Sequence, residues 1–239
     1  GFASGNNQES SSESMNFATS LILYGQATGD DNIRDLGIYW HSTEAEAIRQ
    51  YWFDQDGEVF PDGYLQSCVG MVWGDGASYG TWWTANPEEI HGINFLPING
   101  GSLYLGRDVD YVKLNLANLE SANRSFHTKG FEGDPENFDL WRDILAEYQA
   151  LADPAAAKSL LPGIKESELG ETKTHTIQWI TSLENLGSFN ANLQADHPTA
   201  VTFEKAYVVY NPTKKPITVR FSNGKTIQAL PGLTSTPIE

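Results

Sequence analysis

Apolar residues recur three and four positions apart from Met15 through Ala18, Leu21 and Ile22, and Gly25 and Gly29 interrupt the run, so residues 8–25 read as a first helix. Asp30-Asp31 offers a cap for a second, long helix that runs through Asp54. Its apolar face is Ile33, Leu36, Trp40, Ala47, Ile48, Tyr51 and Trp52. Asp54-Gln55-Asp56-Gly57 ends it. The Asp-x-Asp-Gly resembles the opening of a calcium loop, but Leu65 stands at the twelfth position where such a loop needs Glu, so the stretch reads as a turn. Residues 57–86 hold no helical period and are rich in glycine and aromatics, which predicts a long loop. Asn86-Pro87 opens a short helix carrying His91, because proline is favoured at the first helical position. Further helices are predicted over 108–123, 135–152, 154–161 and 172–186, with Asp134-Pro135 and Asp153-Pro154 as starts. Leu140, Trp141, Ile144, Leu145 and Tyr148 mark a buried stripe on the second of these.

After Gly187 the pattern changes to short β-rich runs at 200–203, 206–210 and 217–221, and Asn223-Gly224 between alternating residues is a strong hairpin signal. Helices in pairs without a βαβ rhythm suggest part of an α/α toroid. The predicted fold is therefore mainly α with a β tail: residues 1–187 as a partial (α/α)6 toroid and 188–239 as a small antiparallel β unit. A unit of three or four strands is small to stand alone, so it is expected to offer an apolar face to a partner.

Composition narrows the function. The chain has 239 residues, enough for a sizeable core, with 40% hydrophobic and 12% aromatic residues. That aromatic content suggests either a large core or a carbohydrate cleft. A net charge of −16 repels phosphate backbones and argues against a nucleic-acid partner. Cys68 is the single cysteine, which rules out an intrachain disulfide and reads as a small buried residue. No apolar run is long enough to span a bilayer, so no membrane partner is expected.

The candidate chemistry lies in Asn6-Asn7-Gln8-Glu9-Ser10-Ser11-Ser12-Glu13, two carboxylates and three amides in eight residues. If the helix covers them, Glu9 and Glu13 fall one turn apart on one face and repel each other. Ser10-x-x-Glu13 is also a capping-box pattern, which accounts for Glu13 without any catalysis but leaves Glu9 unexplained. Trp73, Tyr79, Trp82 and Trp83 crowd the glycine-rich loop; core packing and sugar stacking both suit them. His91 fits either a hydrogen-bonded structural role or a cleft position, and no second His or Cys stands at metal spacing to it, so no metal site and no cofactor are predicted.

The block Asn7-Gln8-Glu9-Ser10-Ser11-Ser12-Glu13 resembles the catalytic signature of the family 81 endo-β-1,3-glucanases. Gly70-Met71-Val72-Trp73-Gly74, Thr81-Trp82-Trp83 and the run from Pro87 to Pro97 are similar to a second block of that family, and Thr174-His175-Thr176-Ile177-Gln178-Trp179-Ile180 to a third, in the same order. The resemblance implies inverting hydrolysis of β-1,3-glucan, with Glu9 as the base that activates water and Glu13 beside it. It also implies sugar contacts at Asn6, Gln8, Trp73, Trp82, Trp83 and His91. The general acid would be an aspartate of an upstream Asp-His-His-Phe-His-like segment, which these residues do not contain. Inversion needs two carboxyls roughly 6.5–9.5 Å apart on opposite faces of the sugar. Two glutamates on one helical turn cannot supply both. Asp62 and Asp75 each sit in a glycine-rich turn and read as turn residues. The chain therefore resembles the carboxyl-terminal half of the catalytic region. Its toroid would be about half of a twelve-helix barrel, and its tail would pack on a β-sandwich from the amino-terminal half, in the same or a separate chain. A polymeric substrate makes a secreted, extracellular protein the expectation. A non-catalytic glucan-binding module, an inactive fragment of such an enzyme, and a different toroidal glycosidase or lyase are the alternatives.

Overall fold

The computed structural model describes residues 5–128 and 140–238. It opens with strand β1, Asn7–Glu9, followed by helices α1, Ser11–Thr28, and α2, Asp31–Ala47. The first helix thus starts at Ser11 instead of residue 8. Ser10 takes a left-handed conformation, φ 65°, which separates strand from helix. Asp30 caps α2 as expected, its carboxylate accepting from the Asn32 and Ile33 amides.

Helices α1 and α2 form an antiparallel pair whose close approach depends on glycine. The backbone of Arg34 lies against Gly25, and a Cβ on Gly37 would come within 2.8 Å of the Ile22 nitrogen. The buried side of α2 is consequently narrower than its apolar pattern suggests. Gly37, Ala45, Ile48 and Trp52 are buried, whereas Leu36, Trp40 and Tyr51 are exposed, Trp40 lying on the rim of α1 against Ser14 and Phe17. A π-helical turn, Ile48–Trp52, closes this arm. The Asp54 turn follows: its two carboxylate oxygens accept from the amides of Glu58, Val59 and Phe60.

The loop predicted for 57–86 contains two strands, β2 at Met71–Trp73 and β3 at Gly76–Ser78. With β1 they form a three-stranded antiparallel sheet in which Asn7 pairs with Trp73 and Glu9 with Met71. Then come α3, Pro87–Gly92, a 3-10 segment Gly100–Gly106, and α4, Val109–Thr128. Helices α5, Arg142–Ala150, α6, Pro154–Leu160, and α7, Lys173–Leu186, complete the helical part. The expected helix start at Asp134-Pro135 lies outside the described residues. Among those described, α5 begins at Arg142, so Leu140 and Trp141 precede the helix instead of extending its buried stripe. Ile144, Leu145 and Tyr148 do face the core. Phe95 stacks on Tyr148 with ring centroids 3.8 Å apart, and Phe53 leans on both Phe95 and Tyr111 at its centre. Cys68 is fully buried among them.

The tail is antiparallel β. Strands β4, Ala200–Thr202, and β5, Ala206–Asn211, precede the hairpin of β6, Ile217–Arg220, and β7, Thr226–Ala229, and β8, Gly232–Pro237, pairs back on β5. Asn223-Gly224 makes the hairpin turn with Gly224 at φ 88°, a conformation glycine adopts freely. Tyr207, Val209, Val219, Phe221, Ile227 and Ala229 pack into a small core of their own, while Phe203 joins the helical core. Leu230 and Leu233 lie exposed. The fold is mainly helical with a C-terminal antiparallel unit, the arrangement of a partial α/α toroid and β tail.

The glycine contact is testable. Gly37→Ala should lower the unfolding free energy by about 1–3 kcal/mol through overpacking against α1, outweighing the roughly 1 kcal/mol that alanine gains in helix propensity. Urea denaturation reads this, and an unchanged or raised midpoint would remove the close-packing argument.

Candidate active site

The three serines at 10–12 are buried, which is unusual for such polar side chains, and each is spoken for. Ser11 donates its amide and its hydroxyl to the Asn94 carbonyl oxygen, at 3.3 and 2.8 Å. The Ser12 hydroxyl reaches the carbonyls of Ile93 and Leu96, and the Ser10 hydroxyl lies 3.3 Å from that of Ser12. Asn94, itself fully buried, donates its amide hydrogens to the carbonyls of Val69 and Ile90, each at 3.1 Å. One side chain thereby ties the start of α1 to α3 and to the backbone entering β2. The Asn16 amide adds a bond to its own helix and one to the Pro97 carbonyl.

This clamp holds Glu9 and Glu13 at a strand-to-helix corner. Glu9 ends β1 and Glu13 stands exposed in the first turn of α1, so the two do not share a helix face. The capping box is absent as well: the Ser10 side chain caps no amide. Alternation along β1 decides what each residue meets. Gln8 points to one face, where its amide donates to the Glu44 carboxylate at 3.1 Å. Asn7 and Glu9 point to the other, which they share with Trp73 across the register. There the Trp82 amide lies 3.5 Å from a Glu9 carboxylate oxygen.

Two aromatic pairs lie in and beside the same loop. Trp82 meets Trp73 edge-on, with centroids 6.5 Å apart, and Trp83 leans on Trp141 at 5.8 Å. Trp82 and Trp83 are 59% and 54% exposed, large exposures for rings of this size. Trp141 belongs to this group although its sequence pattern placed it in a buried helix stripe. Its left-handed backbone, φ 51°, turns the ring over Gly92, where any Cβ would collide with it. Glycine at 92 and an aromatic before α5 are the only sequence signals for that contact.

The remaining candidates separate. Asn6 is exposed just ahead of β1. His91 is fully buried, away from any cleft in this chain: Nδ1 lies 3.1 Å from the Asn115 carbonyl oxygen and Nε2 3.0 Å from the Tyr79 hydroxyl. Asn115 donates to Ser67 and Tyr111, which makes its oxygen the acceptor and puts the His91 proton on Nδ1. Burial pushes the imidazole down to about 4, against the favourable bond from Asn115. The ring is a neutral structural element. No helix among the described residues is long and apolar enough to cross a membrane.

Residues 1–180 match the Glycosyl hydrolase family 81 C-terminal domain, and this chain belongs to that family. It is 44% identical over 243 residues to a glucan endo-1,3-beta-D-glucosidase of Thermobifida fusca, covering 99% of this chain and 31% of that protein. A glucan endo-1,3-beta-D-glucosidase of Acetivibrio thermocellus is also 44% identical, over 97% of this chain and 29% of its own length. The fold superposes with a TM-score of 0.90 and 41% identity on a glycoside hydrolase family 81 protein from Clostridium thermocellum, solved as a glutamate-to-alanine mutant. All of this chain and 33% of that one are covered. The chain spans about a third of the length of these relatives.

Two outcomes follow from the geometry. Asn94→Asp keeps the acceptor for Ser11 but turns the donor toward Val69 and Ile90 into a second acceptor, which should cost roughly 3 kcal/mol of stability; an unfolding midpoint equal to wild type would show that the clamp is dispensable. The His91 ring stays neutral in the folded chain to about pH 4, against an ordinary value of 6.5. The unfolded chain therefore takes up a proton first, and stability falls as pH drops from 6.5 toward 4. The loss approaches about 3 kcal/mol, and His91→Gln should remove that component when urea midpoints are compared at pH 7 and pH 4.

Proposed function

We propose that this chain supplies the water-activating part of the active site of an inverting endo-β-1,3-glucanase. Glu9 is the general base and Glu13, in the first turn of α1, orients or polarises the same water. The observation that carries this reading is the Glu9 carboxylate at the strand-to-helix corner, 3.5 Å from the amide of Trp82, in a loop that exposes two tryptophans. A pyranose stacked on Trp82 or Trp83 would lie beside that carboxylate, with the apolar face of the sugar on the indole. Asn6 and Trp73 complete the proposed sugar contacts, whereas Gln8, expected among them, faces α2 through Glu44. The relatives named as glucan endo-1,3-beta-D-glucosidases support β-1,3-glucan as the substrate.

The general acid is assigned to an aspartate of an upstream segment that these 239 residues do not contain. Both glutamates approach from one corner, so the acid has to come from the opposite face of the sugar. The amino-terminal part of the same enzyme would provide it and would also cover the exposed leucines of the tail, with 1–187 as the catalytic unit and 188–239 as the docking tail. A polymeric glucan substrate fits a secreted protein. The second reading is a glucan-binding module without chemistry, because the exposed tryptophans suffice for binding.

Glu9→Ala separates the two. Assayed on laminarin together with the polypeptide carrying the upstream aspartate, the variant should lose at least about 100-fold in kcat while its retention on a glucan affinity gel changes less than about twofold. Proton NMR of the first product should show the α-anomer in the wild type. Full turnover by the variant would exclude Glu9 as base, and binding without turnover by the assembled wild type would favour the module.

A further inference from the structure

Away from the glutamate corner, three metal-binding side chains from distant positions converge on one point. Glu147 of α5 is completely buried, and neither of its carboxylate oxygens has a hydrogen-bond partner among the described residues. An unpartnered carboxylate in such a place is costly. Its Oε2 lies 3.9 Å from Nε2 of His175, on the first turn of α7, and the same nitrogen lies 4.0 Å from Oε2 of Glu171, just before that helix. One ligand atom from each residue falls within 4.8 Å of the other two. Nε2 also lies 2.8 Å from the Ile98 carbonyl oxygen.

We propose that Glu147, Glu171 and His175 bind one divalent cation of the zinc class. Around an ion with bonds of about 2.0–2.2 Å, neighbouring ligand atoms sit roughly 3–3.5 Å apart, so the separations require only small side-chain adjustments. One imidazole with two carboxylates suits zinc, whereas calcium requires six to eight oxygens. The ion would take the Nε2 lone pair in place of the hydrogen bond to the Ile98 carbonyl, with the ring proton moving through solvent from Nε2 to Nδ1, so that the ligand is a neutral imidazole. A cation at this point offsets the cost of the buried, unpartnered Glu147 carboxylate. The ligand helices are already fixed. The Trp179 indole donates to the Glu147 backbone carbonyl at 3.0 Å, and Asp143 anchors the segment before α7 by accepting the Glu168 amide at 2.8 Å.

The ion's role is structural. It would join α5 to α7 beside the 93–98 segment, which carries the contacts to Ser12 and Asn16 at the start of α1. Neither the base assigned to Glu9 nor the substrate enters this argument, so the site stands or falls independently of the glucanase reading.

The test is zinc binding by the chelator-stripped protein, followed by calorimetry and by zinc-edge X-ray absorption. One equivalent per chain should bind, with an N/O-only first shell and a raised Tm, and calcium at the same concentration should leave Tm unchanged. Glu147→Gln, close to isosteric, and His175→Gln should each weaken binding at least about tenfold while circular dichroism matches the wild type. The other four histidines of the chain could hold zinc adventitiously. Binding that survives both substitutions would place the ion there and overturn the proposal, as would no binding at all or an equal response to calcium.

Discussion

A fully satisfied buried amide sets the geometry of this protein. Asn94 accepts from Ser11 and donates to Val69 and Ile90, so three chain segments meet at one side chain whose inward oxygen and hydrogens are all used. Polar networks of this kind are unforgiving because each unmet bond leaves a desolvated group behind. The network also explains how Ser10 is kept in a left-handed conformation that costs roughly 1–3 kcal/mol for a residue with a Cβ. The serines on its helical side are buried and bonded to the 93–96 segment, which leaves the backbone no alternative path. Glu9 and Glu13 inherit their positions from that constraint.

The corner divides labour between the two faces of a short strand. Gln8 is drawn to α2 through Glu44, while Glu9 turns to the aromatic side. Trp82 and Trp83 are the exposed rings of the loop on that side. Trp141 belongs to the same surface through its contacts with Gly92 and Trp83. The site is thus assembled from β1, the loop after β3, and the residue before α5, with α3 as the shared support.

A second polar centre lies on the other side of the same support. His175 reaches the Ile98 carbonyl, two residues beyond the Leu96 carbonyl that Ser12 engages. The 93–98 segment therefore stands between the glutamate corner and the Glu147 cluster, and a rigid contact at either end restricts the other. Buried charge in the cluster needs a compensating cation or a proton, and hydrogen bonds among the described residues supply neither.

Much of this was legible in the chain itself. Periodicity located the helices, because amphipathic spacing reflects which side must leave water, and Asn223-Gly224 located the tail hairpin, because few residues tolerate its turn. The ordered blocks around Glu9, Trp82-Trp83 and His175 pointed to the family. What the sequence could not settle were matters of partner and register. Residues 7–9 form a strand only because β2 is there to pair with them, and nothing local distinguishes that from a helix start. Leu36 and Trp40 fit a buried stripe, but both are exposed, Trp40 at the rim of the α1 contact. His91 became a core residue through Asn115 and Tyr79, and Glu147 met His175 across 28 residues of chain. Local sequence determines elements through backbone preference and the period of burial. Only the tertiary structure decides which side chains share a space, because that depends on contacts between segments whose spacing along the chain carries no information about distance.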